Sequence, residues 1–179
     1  MRWERCPSPS PGPRSTRPTC SATPSSTTGA SERTGSPHPG TCPSAWEDGR
    51  LVAQQDVGAE CFAVRRTVHT GSWVGRAHQG RGIGKEMRAA VLHFAFAALG
   101  AQRAETDAFV DNPASLAVTR SLGYEPNGDG IHDRKGEPVA MLRYAMSRQS
   151  WERRRHDDIS VEGLEPCLTM FGLDPAPAP

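Results

Sequence analysis

The sequence predicts an α+β fold around a mixed sheet, and three observations carry that prediction. From Ala45 onward the apolar residues fall in short runs of period two; at a glycine-rich turn, 75–84, the period changes to that of a helix; beyond it strands and helices alternate. The resulting order is three antiparallel strands, helix, strand, helix and two strands. A chain of 179 residues, 36% hydrophobic and 23% charged, is long enough for one domain with a real core. Lys plus Arg at 21 against Asp plus Glu at 20 leave a formal charge of +1, which removes the electrostatic case for a dedicated nucleic-acid or polybasic membrane binder. No apolar run has the length of a membrane span, and none behaves as a secretory leader.

Residues 1–44 stand apart. They hold nine of the 16 prolines and no Leu, Ile, Val, Phe or Tyr, so they cannot bury enough apolar surface to offset the entropy of ordering them. The segment is expected to be a disordered Pro/Ser/Thr-rich stretch. Its residue types are those GC-rich codons supply freely, which raises a start read in another frame as an expectation. The five cysteines (Cys6, Cys20, Cys42, Cys61 and Cys167) are odd in number and form no CxxC pair, so free thiols in a reducing cytoplasm are expected, with no zinc module.

From Ala45 each element has its own signal. Trp46, the Asp48-Gly49 turn and Leu51 to Ala53 read as a hairpin, because Asp-Gly accepts the positive φ angles of a tight connection. Cys61 to Val68 and Thr70 to Val74 read as two further strands. Ile83, Met87, Ala90, Val91, Phe94 and Ala98 then recur at helical spacing, leaving Lys85, Glu86 and Arg88 for the other face, and Gly100 closes the helix. Ala104 to Val110 is a strand. Asn112-Pro113 opens a second helix as cap and first residue, Leu116, Thr119 and Leu122 give it a face, and Gly123 ends it. Tyr124 starts a strand, Gly128 to Gly136 reads as a polar turn, and Val139 to Met146 is the last strand. Residues 45–147 form the predicted domain. Residues 148–179 form an extension in which Arg148 to Arg155 reads as a solvated charge run, the stretch 161–173 is apolar enough to pack back, and the proline-rich end frays.

The chemistry is concentrated in Gln79-Gly80-Arg81-Gly82-Ile83-Gly84-Lys85, a glycine-rich turn leading into an amphipathic helix. Such a turn exposes successive backbone N–H groups at a positive helix end, a place where a pyrophosphate fits. A Walker loop needs glycine at 79 and Ser or Thr at 86, where Gln79 and Glu86 stand; the dinucleotide fingerprint needs glycine at 85, where Lys85 stands. Taken alone, a glycine cluster before a helix is more often only a tight turn with no ligand.

What remains is Gln/Arg-x-x-Gly-x-Gly/Ala, met by Gln79, Gly82 and Gly84, followed by Asn112-Pro113-Ala114-Ser115 and Leu122-Gly123-Tyr124. Together these resemble the GNAT superfamily of N-acyltransferases, with the RimJ/RimL-like branch as the nearest flavour, over about Trp46 to Ser147. The resemblance implies a GNAT fold, with a splayed mixed sheet and helices on both faces, incomplete at its N-terminus. Residues 1–44 then occupy the place of the family's first strand and two helices. It implies acyl-CoA, acetyl-CoA first, as the co-substrate. The Ser72 to Val74 backbone would pair with the pantetheine, Trp73 and Val74 would line it, and N–H groups of Arg81, Gly82, Ile83, Gly84 and Lys85 would hold the pyrophosphate; Asn112 would face the pantetheine arm, and Gln79, Gly80 and Ser115 complete the implied cofactor site. The family often has a tyrosine seven residues after that asparagine as proton donor, but here the position is Thr119.

The implied reaction is transfer of an acetyl or other short acyl group to a primary amine, a protein N-terminus or a small molecule, by direct attack and without a metal. Ser115 or Thr119 is a candidate donor to the leaving sulfur. His69, His132 and Glu137 are candidate bases. A cytoplasmic enzyme binding neither nucleic acid nor membrane is expected, with a homodimer left open. Two rival readings stay open: a non-catalytic CoA-binding remnant without the acceptor half, and a nucleotide-binding or protein-interaction module using the glycine turn and the basic stretch 148–155.

Overall fold

The structure, a computed structural model, describes residues 40–41, 44–155 and 159–173. The expectations for residues 1–39 lie outside this range. Two strands come first, β1 (Gly40–Thr41) and β2 (Ser44–Glu47), and both pair with β3 (Arg50–Gly58). The described strands thus start ahead of Ala45. The β2–β3 connection is the predicted tight turn, with Asp48 at φ 49° and Gly49 at φ 72°.

The stretch expected as two strands between Cys61 and Val74 is different. Cys61 and Arg66 both adopt left-handed conformations and bracket a single helical turn, α1 (Phe62–Arg65), before one longer strand, β4 (Thr67–Val74). Only Phe62 of α1 is buried, and Val64 is 83% exposed, so the alternation read from Phe62 and Val64 does not describe two inward residues of a strand. The free-thiol expectation also fails at Cys61, which is disulfide-bonded to a partner outside the described side chains.

Helix α2 (Ile83–His93) continues into a wider turn, Phe94–Ala98, in which Leu99 N–H reaches the Phe94 carbonyl, and Gly100 reverses the chain at φ 73°. Then follow β5 (Arg103–Phe109) and α3 (Pro113–Ser121). The long hairpin of β6 (Glu125–Arg134) and β7 (Glu137–Ser147) completes the sheet. The polar stretch expected as a turn is mostly strand, with only Lys135 and Gly136 connecting. A register shift between Pro126 and Asp129 absorbs Gly128, Gly130 pairs in register with Met141, and an outer strand needs no apolar side chains to keep its ladder.

The sheet order is β1-β3-β4-β5-β7-β6, with β2 also on β3, and every pairing is antiparallel except β4 with β5. One core lies between the sheet and α2, α3 and the C-terminal segment. Val57, Val68 and Ala104 from strands meet Val91, Phe96 and Leu116 from helices. The charge run after Ser147 is only partly solvated. Its Trp151, in α4 (Arg148–Glu152), is buried and stacks on Phe96 at 5.2 Å between ring centroids, and Arg148 donates two hydrogen bonds to the Phe96 carbonyl at 2.6 and 2.8 Å. Phe171, beyond α5 (Glu165–Leu168), is likewise buried, against Phe62 and Phe94.

Candidate functional site

The parallel pair β4–β5 is where the sheet opens. Pairing runs from Thr67 opposite Arg103 to Thr70 opposite Thr106 and then stops, although β4 continues to Val74 and β5 to Phe109. Gly71 to Val74 therefore have β3 on one side and, among the described residues, no strand on the other. Unpaired backbone along one edge can accept an extended ligand as a substitute strand.

Both helices that follow these strands start at the open end of the split. α2 begins after the glycine-rich turn, with Gly82 as cap at φ 85° and no side chain supplying an acceptor to its first N–H groups. The N–H groups of Ile83 and Gly84 precede the first bonds of the helix and face outward with the positive end of its dipole, whereas Lys85 N–H already donates to the Gly82 carbonyl at 2.9 Å. Gly84 brings α2 close to β4: a methyl group there would lie 3.4 Å from Val74 Cγ2. A diphosphate fits this turn, and an extended amide chain fits the edge beside it. α3 begins at Asn112, whose side chain accepts a hydrogen bond from Ser115 N–H at 3.1 Å. Asn112 is thus a helix cap in its own right.

The turn is held by contacts the sequence did not suggest. Gln79 Nε2 donates to the Val74 carbonyl at 3.0 Å and so closes the turn on β4. Arg81 does not reach into the open end; its guanidinium donates to both oxygens of Glu47, at 2.8 and 2.5 Å, and His78 Nδ1 lies 3.0 Å from the same carboxylate. Hydrogen bonding from Arg81 holds the Glu47 carboxyl well below its usual range, at about 2, with the nearby charges of Arg81 and His78 adding to the effect. At the second helix head Arg134 of β6 donates to both oxygens of Asp111, at 2.9 and 2.7 Å, and lies 3.9 Å above the Phe109 ring. That ion pair lowers the Asp111 pKa and ties the approach to Asn112 to the outer hairpin.

At the closed end a buried polar network replaces apolar packing. Thr106 Oγ1 donates to the Thr70 carbonyl at 2.8 Å, and the Thr70 and Tyr124 hydroxyls are 3.2 Å apart. Arg88, expected on the outer face of α2, is 2% exposed. It donates to Gln55 Oε1 at 3.1 Å, Thr106 Oγ1 at 3.0 Å and Ser72 Oγ at 2.9 Å, while Gln55 Nε2 donates to the Gly71 carbonyl at 2.6 Å. The signal was present: Arg88 shares a helical stripe with Gly84, Val91 and Ala95, and Gln55 lies between the inward residues Ala53 and Val57 of β3.

The sequence-predicted site residues do not all meet. Trp73, Val74, the turn 79–85, Asn112 and Ser115 cluster at the open end, with Trp73 Nε1 donating to Gln54 Oε1 at 3.2 Å. Thr119, at 1% exposure, is sealed in the α3 layer of the core, where a hydroxyl is badly placed to pass a proton on. His69 and Glu105 lie across the parallel pair, 3.7 Å apart and partly exposed. By strand alternation they occupy the sheet face opposite α2, together with Asp107 and Arg143. His132 and Glu137 are on the outer hairpin, and three strand spacings, roughly 14 Å, separate β6 from β4. His69 and His132 therefore do not form one site. A cavity of about 120 Å³ near Lys85, His93, Trp151 and Arg154 lies under the C-terminal segment and shares only Lys85 with the glycine turn.

Comparison with known proteins agrees with this geometry. The family model described as "Acetyltransferase (GNAT) domain" matches residues 48–125. Among solved structures, one described as "Probable acetyltransferase" superposes with a TM-score of 0.59 at 23% identity, over 63% of this chain and 64% of that one. Mycobacterium smegmatis RimJ, in complex with CoA-disulfide, gives 0.58 at 24% identity over 62% of this chain and 54% of its own. Spermidine/spermine N-acetyltransferase SpeG from Vibrio cholerae gives 0.58 at 15%, over 64% and 70%. This chain thus spans a little under two thirds of the length of the first of these. Among the described residues no helix is long and apolar enough to cross a membrane. The match over 48–125 covers a little under half of this chain, and the solved structures share its α+β fold with the split mixed sheet, so the chain contains a region similar to the GNAT acetyltransferase domain.

Proposed function

We propose that the protein transfers an acetyl or other short acyl group from acyl-CoA to a primary amine, on a protein N-terminus or a small molecule, by direct attack. The observation that carries the reading is the end of β4–β5 pairing at Thr70 and Thr106, next to a glycine-capped helix head. Acyl-CoA supplies the activated acyl group as a thioester. The first N–H groups of α2 would bind its diphosphate, the free edge of Gly71 to Val74 would orient its amide chain, and Asn112 and Ser115 would border the opening. The acceptor amine would approach from the face carrying His69, Glu105, Asp107 and Arg143. His69 is the base candidate that this placement favours, since it lies on the split strand itself; His132 and Glu137 would need an acceptor reaching across the outer hairpin. Ser115 is favoured over Thr119 as a hydrogen-bond donor because it is not sealed in the core. A metal has no part in this scheme, and the setting is the cytoplasm, where acyl-CoA is abundant.

A second reading is favoured by one observation. The face offered to the acceptor is charged and partly exposed. A protein that binds coenzyme A without turnover would look the same. Calorimetry with acetyl-CoA, combined with thiol release over a panel of amines, separates the two. Binding with turnover supports the transferase, binding without turnover supports the second reading, and no binding sinks both. In the active case, His69→Ala and His132→Ala are compared by the pH dependence of kcat/KM; loss of the lower-pH limb in His69→Ala alone is expected.

A further inference from the structure

Arg88 is the one charged residue among the described residues that the fold buries, and no described carboxylate forms an ion pair with it. Its three hydrogen-bond acceptors, Gln55, Ser72 and Thr106, are all neutral. A buried cation satisfied by dipoles alone keeps an uncompensated positive field, because low-dielectric surroundings screen it weakly. The field has a definite address. Thr106 is the last residue of β5 that pairs with β4, and Ser72 lies two residues beyond Thr70, the last residue of β4 that pairs with β5, so the guanidinium sits across the point where the two strands separate.

The surrounding titratable groups do not cancel it. On α2 itself the nearest is Lys85, one turn toward the helix head. On β4 and β5, His69, Glu105 and Asp107 alternate to the opposite sheet face, where Glu105 is paired with Arg103 at 2.7 Å. Asp56 of β3 alternates to that same face. From the other elements come Tyr124, hydrogen-bonded to Thr70, and Arg120 of α3, bonded to the Tyr144 hydroxyl at 3.2 Å.

We propose that Arg88 is a positioning residue that fixes the opening of the split through Ser72 and Thr106 and lowers the cost of negative charge on the coenzyme sulfur. The inference rests on the acyl-CoA reading above. With the diphosphate at the head of α2, the chain runs inward along Val74 to Gly71, and its sulfur arrives at the closed end, where Arg88 lies. In the transfer the amine nitrogen bonds to the acyl carbon, the carbon–sulfur bond breaks, and its electron pair stays on sulfur as a thiolate. The amine proton goes to the base or to water, and the sulfur is protonated later. A resident cation favours that thiolate without needing a proton donor at position 119, where this chain has a buried threonine.

The test titrates the thiol of reduced CoA bound to the full chain, following the ultraviolet thiolate band against a desulfo-CoA control. The bound thiol is expected to ionise about one pKa unit below free CoA, a tenfold change in its ionisation constant. Arg88→Lys keeps the charge but not the fork and should retain most of that shift. Arg88→Met should bind CoA with its thiol returned to the free value, and Ser72→Ala should weaken binding several-fold while leaving the thiol shifted. CoA bound to the unaltered protein with an unshifted thiol overturns the inference alone, and so does a shift that survives Arg88→Met. Should Arg88→Met not fold, the unaltered protein and Arg88→Lys still decide: an unshifted thiol in the former, or a shift lost in the latter, overturns it. Failure of the unaltered protein to bind CoA overturns the acyl-CoA reading and this inference with it.

Discussion

The hydroxyl of Thr106 donates a 2.8 Å hydrogen bond to the Thr70 carbonyl, across the last rung of a parallel pair that opens immediately beyond it. The same hydroxyl accepts from Arg88, so one side chain joins the end of the ladder to the buried guanidinium. Thr106→Val conserves shape and removes both bonds. It is expected to destabilise the protein by about 1–3 kcal/mol, since a buried carbonyl and a guanidinium N–H lose their partner, and thermal unfolding measures this. An unchanged Tm would mean that the rung is held by packing alone.

Glu47 gives the glycine turn a pH dependence. Its carboxyl is held at about 2 in the folded protein against 4.5 unperturbed, so the unfolded chain binds the proton more readily. The stabilisation is therefore fully present above about pH 4.5 and lost as pH falls from there through about 2. Because the pair is exposed, added salt should shrink the effect. Glu47→Gln is expected to flatten this acid limb and to weaken CoA binding, because Arg81 would no longer tie the turn to β2. Urea unfolding across pH, with and without salt, checks the first expectation, and calorimetry the second.

Gly82 caps α2 at φ 85°, a conformation that costs an L-residue roughly 1–2 kcal/mol. Space is not the limit, since a methyl there would lie 3.7 Å from the flexible end of Glu86. Gly82→Ala should therefore fold with a modestly lower Tm and lose affinity for CoA about tenfold or more, as the first N–H groups of α2 turn away. Equal affinity in variant and parent would argue against a diphosphate at this helix head.

Trp151 anchors the C-terminal segment on the wider turn of α2. Removing its ring leaves a void beside Phe96, and Trp151→Ala is expected to cost about 3–5 kcal/mol. Rapid hydrogen exchange in Phe94–Ala98 should accompany the loss, and its absence would show that the turn is stable without the tryptophan.

The order of the strands and helices from Ala45 was legible because each depends on local causes. Asp48-Gly49 accepts positive φ, Asn112-Pro113 starts a helix, and Gly100 and Gly123 end one. The motif residues Gln79, Gly82 and Gly84 marked the turn for the same reason. Mistakes came where side-chain polarity misled. The polar run 128–136 is largely strand, because an outer strand is held by its backbone ladder and can carry polar side chains on both faces. The run beginning at Cys61 holds a helical turn, because two left-handed residues set the chain's direction there.

The chemistry at the closed end of the split depends on contacts between distant parts of the chain. Arg88 is polar, and its neighbours Lys85 and Glu86 are solvated, so its burial depends on acceptors more than thirty positions away in Gln55 and eighteen away in Thr106. The same holds for Arg81, whose partner Glu47 is thirty-four residues distant. Turns, caps and apolar faces can be read from the residues alone, since those act over a few positions. Where a charge is buried, and what it then does, depends on which distant dipoles the fold brings to it.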